Sequence, residues 1–271
     1  MVNLRTPGLF RVVLALMALG LCASPDSFAQ QNDPLTPLQR RIEQQKQRLT
    51  SGEVEERRDA LMKLGAMKHA DASRAAIPGI NDLEPMIRVT AAHAITSLPA
   101  AEASTLLLPL LKDKLEFVRR ESAYALGETG SRSAVQPLVE LLTTEKEVSV
   151  RTAAVVALGH IRDESAVPAL AHVLSGASPN NKSKKRENDF VIRSATQALG
   201  EIGSRAGVEP LIAALTNETN SLDVRRAAAE ALGLIGDSSA TSALEAALAS
   251  HDPYLSEAAR AALRRLRLAK K

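Results

Sequence analysis

Hydrophobic residues along this chain follow a helical period, and the period restarts twice within each short stretch. In one stretch the apolar and small positions fall on one face of a helix, and they are Val118, Ser122, Ala125, Leu126 and Thr129. A second apolar face follows at Val135, Leu138, Leu141 and Leu142. The pattern predicts a hairpin of two helices, each of which buries one face.

The same pattern returns at a regular interval. Clear copies are ALGETGSRSAV at 125, ALGHIRDESAV at 157, ALGEIGSRAGV at 198 and ALGLIGDSSAT at 231, and looser copies are ALMKLGAMKHA at 60 and AITSLPAAEAS at 94. We define one anchor position in each of these six copies, namely Leu61, Ile95, Leu126, Leu158, Leu199 and Leu232, and Leu263 near the C-terminus is a seventh. The anchors are 31 to 34 residues apart except for one step of 41. A fixed period of this length indicates a solenoid of stacked repeats.

Glycines and capping residues mark the turn inside each hairpin. Glycine follows the anchor directly at Gly127, Gly159, Gly200 and Gly233, and again three residues later at Gly130, Gly203 and Gly236. Glycine ends helices in a left-handed turn and allows two backbones to approach closely. The next residues, Ser131, Asp163, Ser204 and Asp237, are of the types that cap a helix start. The repeated GxxG spacing therefore needs no bound phosphate to explain it.

The copy VRRAAAEALGLIGD at 224–237 resembles HEAT-like repeats of the phycobilisome-lyase type, and the resemblance covers about residues 52–268. It implies an all-α fold, a right-handed α-solenoid of about six HEAT-like helical hairpins with N- and C-terminal capping helices. It also implies an arginine ladder that pairs with acidic groups and carbonyls of neighbouring units, here Arg88, Arg119, Arg151 and Arg225. The fifth unit departs from this pattern, because Ile192 follows Val191 and Arg193 comes one residue late.

The first 29 residues have the three parts of an export signal. These are the basic Arg5 and Arg11, the apolar run 12–23, and a small-x-small motif at 27–29. The apolar run is too short to span a bilayer, which needs about 20 residues. We expect cleavage near Ala29 and a periplasmic or secreted mature protein. Lipoprotein processing at Cys22 is a weaker alternative, because the bulky Leu21 precedes the cysteine.

The domain boundaries follow from these patterns. Residues 30–51 are expected to form a linker and a polar capping helix that begins at Thr36 and Pro37, and residues 52–271 the repeat domain. The long step between anchors contains SGASPNNKSKKREN at 175–188, whose composition predicts a loop. Its basic residues are Lys182, Lys184, Lys185 and Arg186. Insertions in solenoids often carry specificity, and a solvated disordered loop is the alternative.

The candidate chemistry is sparse. The formal net charge is only +3, which is too small to indicate a protein that binds nucleic acid through a strongly basic surface. Cleavage near Ala29 would remove the single cysteine, which excludes disulfides and thiol catalysis. None of the five histidines precedes a glutamate or stands in HExxH spacing, so the di-iron ligands of HEAT relatives of the deoxyhypusine hydroxylase type are missing. GxSxG and GxxxxGK motifs are absent too, and we predict no catalytic residue, metal or cofactor.

The remaining candidate is the surface of the second helices. Residues expected to face away from the core, on the concave side, are Gln136, Glu140, His172 and Glu209. Small and polar positions like these favour a broad contact with a protein over a deep ligand pocket. The sequence therefore predicts an exported, non-enzymatic scaffold that binds a protein partner, without nucleic acid or a small-molecule substrate. The alternatives are a lyase-like or metal-dependent HEAT enzyme, and a membrane-surface adaptor that uses the basic insertion and the C-terminus.

Overall fold

The protein is described by a computed structural model that covers residues 35–176 and 182–269. In these ranges the chain forms α-helices and short 3-10 segments, and no strand. The helices are α1 (Pro37–Arg48), α2 (Val54–Ala66), α3 (Ala70–Ala76), α4 (Pro85–Ala94), α5 (Ala100–Leu107), α6 (Glu116–Thr129), α7 (Val135–Thr144), α8 (Val148–Ile161), α9 (Val167–Leu174), α10 (Lys182–Ile202), α11 (Val208–Thr216), α12 (Leu222–Ile235), α13 (Thr241–Ala247) and α14 (Pro253–Ala269).

The predicted export signal lies outside the described residues, together with Ala29 and Cys22. No helix in the described ranges is long and apolar enough to cross a membrane.

Two compact units divide the chain, Met1–Glu43 and Gln44–Lys271. In the first unit, Thr36 and Gln39 form a reciprocal cap. The Thr36 N–H donates to Gln39 Oε1 (2.8 Å) and the Gln39 N–H donates to Thr36 Oγ1 (3.2 Å). This pair satisfies two amides that the first turn of α1 would leave free, and it confirms the predicted helix start.

The second unit is a stack of helical hairpins. The first helices α2, α4, α6, α8, α10 and α12 pack on one another in chain order, and α14 packs on α12. The second helices α3, α5, α7, α9, α11 and α13 form the other layer, and each packs on the first helix of the next hairpin. These contacts confirm an all-α HEAT-like solenoid in which elements touch mainly their immediate neighbours. The C-terminal helix α14 buries Leu255, Leu263 and Leu266.

The anchor positions Leu126, Leu158, Leu199 and Leu232 are completely buried, as the repeat period predicts. In the first hairpin the predicted register is wrong by one turn. A Cβ built on Gly65 would lie 3.1 Å from the Ala94 Cα, just as one on Gly127 would meet the Ala157 Cα. Leu64 is therefore the equivalent of Leu126, although Leu61 is equally buried. The error arose because Leu61 and Leu64 lie one turn apart on the same apolar face, so the apolar pattern of the sequence does not distinguish them.

The turn glycines have the two roles expected of them. A Cβ on Gly127 would lie 2.7 Å from the Ala157 Cα, so the helices α6 and α8 meet backbone to backbone there. The second glycines are left-handed, with φ of 65° at Gly130, 73° at Gly203 and 77° at Gly236. In the fourth hairpin Arg162 adopts this conformation with φ of 56°. Arginine pays a steric cost there that glycine avoids.

Three of the four predicted caps are present. Asp163, Ser204 and Asp237 each accept the backbone N–H two residues further on. They cap a short 3-10 turn that leads into the second helix. The prediction for Ser131 is wrong, because its Oγ pairs with the Ser133 hydroxyl at 2.9 Å and accepts no backbone N–H. A neighbouring hydroxyl has displaced the capping bond.

The predicted basic loop is only partly a loop. Helix α9 ends at Leu174, and α10 begins at Lys182 and continues to Ile202, so residues 182–188 are helical. The prediction of a loop over that part is wrong. Lysine, arginine and glutamate are good helix formers, so the stretch extends the first helix of the fifth hairpin towards its N-terminus. Residues 177–181 lie outside the described ranges.

Candidate interaction surfaces

Arginines near the start of the first helices pair with acidic residues of the next hairpin. The Arg88 Nε donates to Asp113 Oδ2 (2.9 Å), and its Nη1 donates to the Asp82 carbonyl (2.9 Å). The Arg119 Nε donates to Glu145 Oε2 (2.6 Å), and its Nη1 donates to the Asp113 carbonyl (2.9 Å). We call each arginine and its partner position in the next hairpin a rung, and a rung is closed where an acid occupies that position. The ladder implied for Arg88 and Arg119 is confirmed.

A further closed rung involves Arg57, which the sequence analysis missed. Its Nε and Nη2 donate to the two carboxylate oxygens of Asp82 at 3.0 and 3.1 Å, and its Nη1 donates to the Ser51 carbonyl at 3.0 Å. Planar bidentate contact of this kind is specific to arginine. Aligning Leu64 and Gly65 with Leu126 and Gly127 would have identified it.

The acids of the closed rungs also accept a backbone N–H in the turn that precedes the next first helix. Asp82 and Asp113 each accept the backbone N–H two residues on at 2.9 Å, and Glu145 accepts that of Glu147 at 3.1 Å. The hydrogen bond from Arg119 lowers the pKa of Glu145, while burial acts in the opposite direction and the bonds from backbone N–H groups assist the lowering. Each closed rung thus connects one helix start to the next hairpin.

The rung of the third hairpin, formed by Arg119 and Glu145, is expected to make the stability of the fold depend on pH in the acid range. Because the pKa of Glu145 is lower in the folded chain, its contribution is fully present above the ordinary glutamate pKa and is lost as the pH falls through the folded value. Glu145→Gln should lower the free energy of unfolding at neutral pH by about 1 to 3 kcal/mol. Urea unfolding from neutral to acid pH measures both effects, and Glu164→Gln, at an exposed glutamate, is the matched control. A constant difference between Glu145→Gln and the parent at every pH would contradict this assignment.

The later rungs lack acids. The residues that occupy the acidic position are Gly176, Asn217 and Ser250. Asn217 and Ser250 keep the turn hydrogen bond of the acids, because they accept the N–H of Thr219 (3.0 Å) and of Asp252 (3.2 Å).

Among the described residues, Arg225 makes the carbonyl contact that the ladder implies but has no acidic partner, and Arg151 has neither contact. The Arg151 Nε is buried without a hydrogen-bond partner, and the Arg225 Nε donates only to the Leu215 carbonyl at 2.8 Å. The physical reason is that Gly176 and Ser250 supply no carboxylate at the partner position. In the fifth hairpin Ile192 replaces the arginine and is buried.

The residues predicted to bind a partner are exposed. Gln136 and Glu140 lie on α7, His172 on α9 and Glu209 on α11, in three successive second helices. Their role in binding stays a prediction. Lys182, Lys184, Lys185 and Arg186 lie in the first turns of α10, and the described part of the structure does not include their side chains.

An open groove runs beside Glu140. It has a volume of about 480 Å³ and lies between α7 and the 3-10 segment after α5. Its lining residues are Thr105, Leu108, Pro109, Leu111, Lys112, Pro137, Glu140, Leu141 and Thr144. The walls are mostly apolar, with one cation and one anion, and sequence reasoning missed the groove because it forms only between two hairpins.

His, Cys, Asp and Glu side chains are the candidate metal ligands in the described ranges. No three His, Cys, Asp or Glu side chains are grouped there so that they could hold a metal ion. The His93 Nε2 lies 3.2 Å from Glu121 Oε2 on the neighbouring first helix, a contact between two partly exposed side chains.

Stacked helical hairpins with an arginine ladder define a helical repeat protein. The chain belongs to the HEAT-repeat family, whose model matches residues 42–126, 107–183 and 182–264.

Similar proteins include phycobilin lyase subunits. The chain is 32% identical over 121 residues to a phycocyanobilin lyase subunit alpha from Picosynechococcus sp. (strain ATCC 27264 / PCC 7002 / PR-6), a match that covers 41% of this chain and 45% of that protein. The chain thus aligns with less than half of that relative's length. A solved complex of CpcE and CpcF of phycocyanin lyase from Nostoc sp. PCC7120 has a TM-score of 0.51 and 23% identity over 89% of this chain and 90% of the other. Human deoxyhypusine hydroxylase gives a TM-score of 0.44 and 23% identity, with 84% of each chain covered.

Proposed function

We propose that this chain is an exported, non-enzymatic HEAT-repeat scaffold that holds a protein partner against its second helices. The observation that supports this most directly is the exposed surface of α7. Gln136 and Glu140 are exposed there, and Glu140 borders the apolar groove. An apolar groove with charged residues at its edge resembles the centre and rim of a protein interface.

The similar proteins support a protein partner. The curated relative is named as a subunit, and the solved neighbour is a complex of two chains. Exposed second helices on successive hairpins can present many weak contacts at once, which suits a repeat scaffold.

A second candidate function is that of a lyase subunit, which the identity of 32% to a lyase subunit alpha favours. In that case the chain would contribute to an enzyme only when assembled with another subunit. We favour the scaffold because the sequence contains no HExxH, GxSxG or GxxxxGK motif.

Capture of a partner from the periplasm tests the proposal. The full chain, tagged at its C-terminus and crosslinked in cells, should recover one protein in near-equal amount from the periplasmic fraction. Glu140→Arg should abolish this recovery, because it reverses a charge beside the groove. Glu230→Arg makes the same change of charge as Glu140→Arg, but at an exposed position of the first helix α12. It should leave the recovery of the partner unchanged.

Two outcomes would oppose the proposal. Recovery of the chain only from the cytoplasm would contradict export. Equal recovery of the partner by Glu140→Arg and the parent would show that the α7 surface is not the binding site.

A further inference from the structure

The last rung of the ladder opens into a groove. Arg225 lies in the wall of a cavity of about 620 Å³ between the C-terminal ends of α11 and α13. Its Nε donates to the Leu215 carbonyl at 2.8 Å. Among the described residues, no side chain or carbonyl accepts a hydrogen bond from either terminal nitrogen of this guanidinium. In the cavity, which we call the Arg225 groove, this cation therefore forms no ion pair with a described residue.

Comparison with the closed rungs shows what this site lacks. Ser250 borders the groove and has the position of Asp113 in the second rung, including the bond that it accepts from the N–H two residues on. In the second rung a carboxylate contacts the arginine at 2.9 Å. In the sixth rung a short hydroxyl stands in its place, so the volume and the charge of a carboxylate are missing.

The fifth rung shows that the arginine is not an obligatory part of the fold. There the arginine is replaced by Ile192 and the acid by Asn217, so both charges are absent together. Ile192 is buried and the hairpin packs normally. Arg225 is different, because it keeps the charge although no acid is present to neutralise it.

The acids near Arg225 do not neutralise it. Asp252 is held by Arg226, whose Nε and Nη2 donate to its two oxygens at 2.8 and 2.9 Å. It also accepts the N–H of Leu255 at 2.8 Å. Glu218 lines the groove and is exposed, but it forms no ion pair with Arg225 among the described residues.

One wall of the groove is apolar and has small side chains, while Thr216, His251 and the two acids line the remainder. Ala243, Ala246, Ala247 and Ala249 line it, and Leu222 borders it while remaining 44% exposed. Alanines leave space beside the cation for the side chain of another molecule. A carboxylate next to an aliphatic side chain would match both the charge and the apolar surface.

We propose that the Arg225 groove binds an acidic segment of a protein partner. One carboxylate of that segment would accept hydrogen bonds from the terminal nitrogens of Arg225. Asp113 instead contacts the Nε and Nη2 of Arg88, and in Arg225 the Nε already donates to the Leu215 carbonyl. A neighbouring aliphatic side chain would lie on the alanines. A free carboxylate would use only the cation, whereas the open groove with its alanine surface fits an extended peptide. This proposal rests on the proposed scaffold function and assigns one of its binding sites.

A defined peptide tests the site on the full chain. The probe is a fluorescein-labelled peptide of alternating leucine and glutamate, and binding is measured by fluorescence anisotropy at low and high salt. We expect Arg225→Gln to weaken binding by about tenfold or more, because a charge-assisted contact is lost. Arg260→Gln removes the same charge from an exposed site on α14 and should leave the affinity unchanged. Glu218→Gln should tighten binding, because it removes a negative charge in the groove that repels the glutamates of the peptide.

A second variant keeps the test valid if Arg225→Gln fails to fold. Ser250→Asp restores the acid of the closed rungs and should occupy Arg225 from within the chain. It should therefore abolish peptide binding while the melting temperature stays the same or rises.

Each outcome of these measurements has a definite meaning. Unchanged affinity in Arg225→Gln and Ser250→Asp would overturn the proposal, as would equal binding of a peptide with lysine in place of glutamate. Displacement of the peptide by free glutarate at a similar concentration would also overturn it, because the alanine surface would then contribute nothing. If partner capture succeeds but is unaffected by Arg225→Gln, only the groove assignment fails. If no partner is captured from cells, the scaffold function itself fails.

Discussion

Replacing Leu199 with alanine is expected to lower the free energy of unfolding by about 2 to 5 kcal/mol. Leu199 lies in α10 and is completely buried. Helix α10 packs on both α8 and α12, so a cavity here weakens two interfaces between hairpins. Alanine removes apolar contacts that the rigid backbone cannot restore by collapse. Urea unfolding followed by circular dichroism measures the change.

The matched control for this substitution is Leu234→Ala in α12. Leu234 is 56% exposed, so its truncation should change stability by less than about 0.5 kcal/mol. Equal losses in the two variants would mean that the repeat register is wrong around residue 199.

Replacing Gly127 with alanine is expected to destabilise the chain by about 1 to 3 kcal/mol, although alanine is the better helix former. The new Cβ would lie 2.7 Å from the Ala157 Cα, which belongs to the backbone and cannot rotate away. Helices α6 and α8 would have to separate, and their packing would loosen. Thermal and urea unfolding report the loss.

Gly52 provides the control for Gly127. A Cβ there would meet no atom within 4 Å, so Gly52→Ala should be neutral or slightly stabilising. If Gly127→Ala raised the melting temperature, close backbone approach would not be the reason for glycine at this position.

The turn and core positions could be predicted from the sequence because their chemistry is specific. Glycine at 130, 203 and 236 predicts a backbone in the left-handed conformation, and each of these residues has a positive φ. Arg162 could not be predicted in this way, since only the surrounding hairpin imposes a positive φ on an arginine. The register of the first hairpin was also ambiguous, because Leu61 and Leu64 are both fully buried.

The candidate sites were less predictable, because they depend on pairs of hairpins. Arg119 and Arg225 occupy the same position in their repeats, but only Arg119 meets an acid, Glu145. The difference arises from a residue of the following hairpin, and so does the groove beside Arg225. Exposure of Gln136 and Glu140 followed from helical periodicity, whereas the apolar groove between α7 and the preceding hairpin did not.

The extended start of α10 has a consequence for how such chains vary. The added residues precede the part of the helix that carries Leu199, and α10 still packs on α8 and α12 there. Contacts in this architecture join neighbouring hairpins, so extra length at one junction does not shift the residues buried two hairpins away. Insertions at a single junction can therefore add exposed surface during evolution while the other hairpins keep their packing.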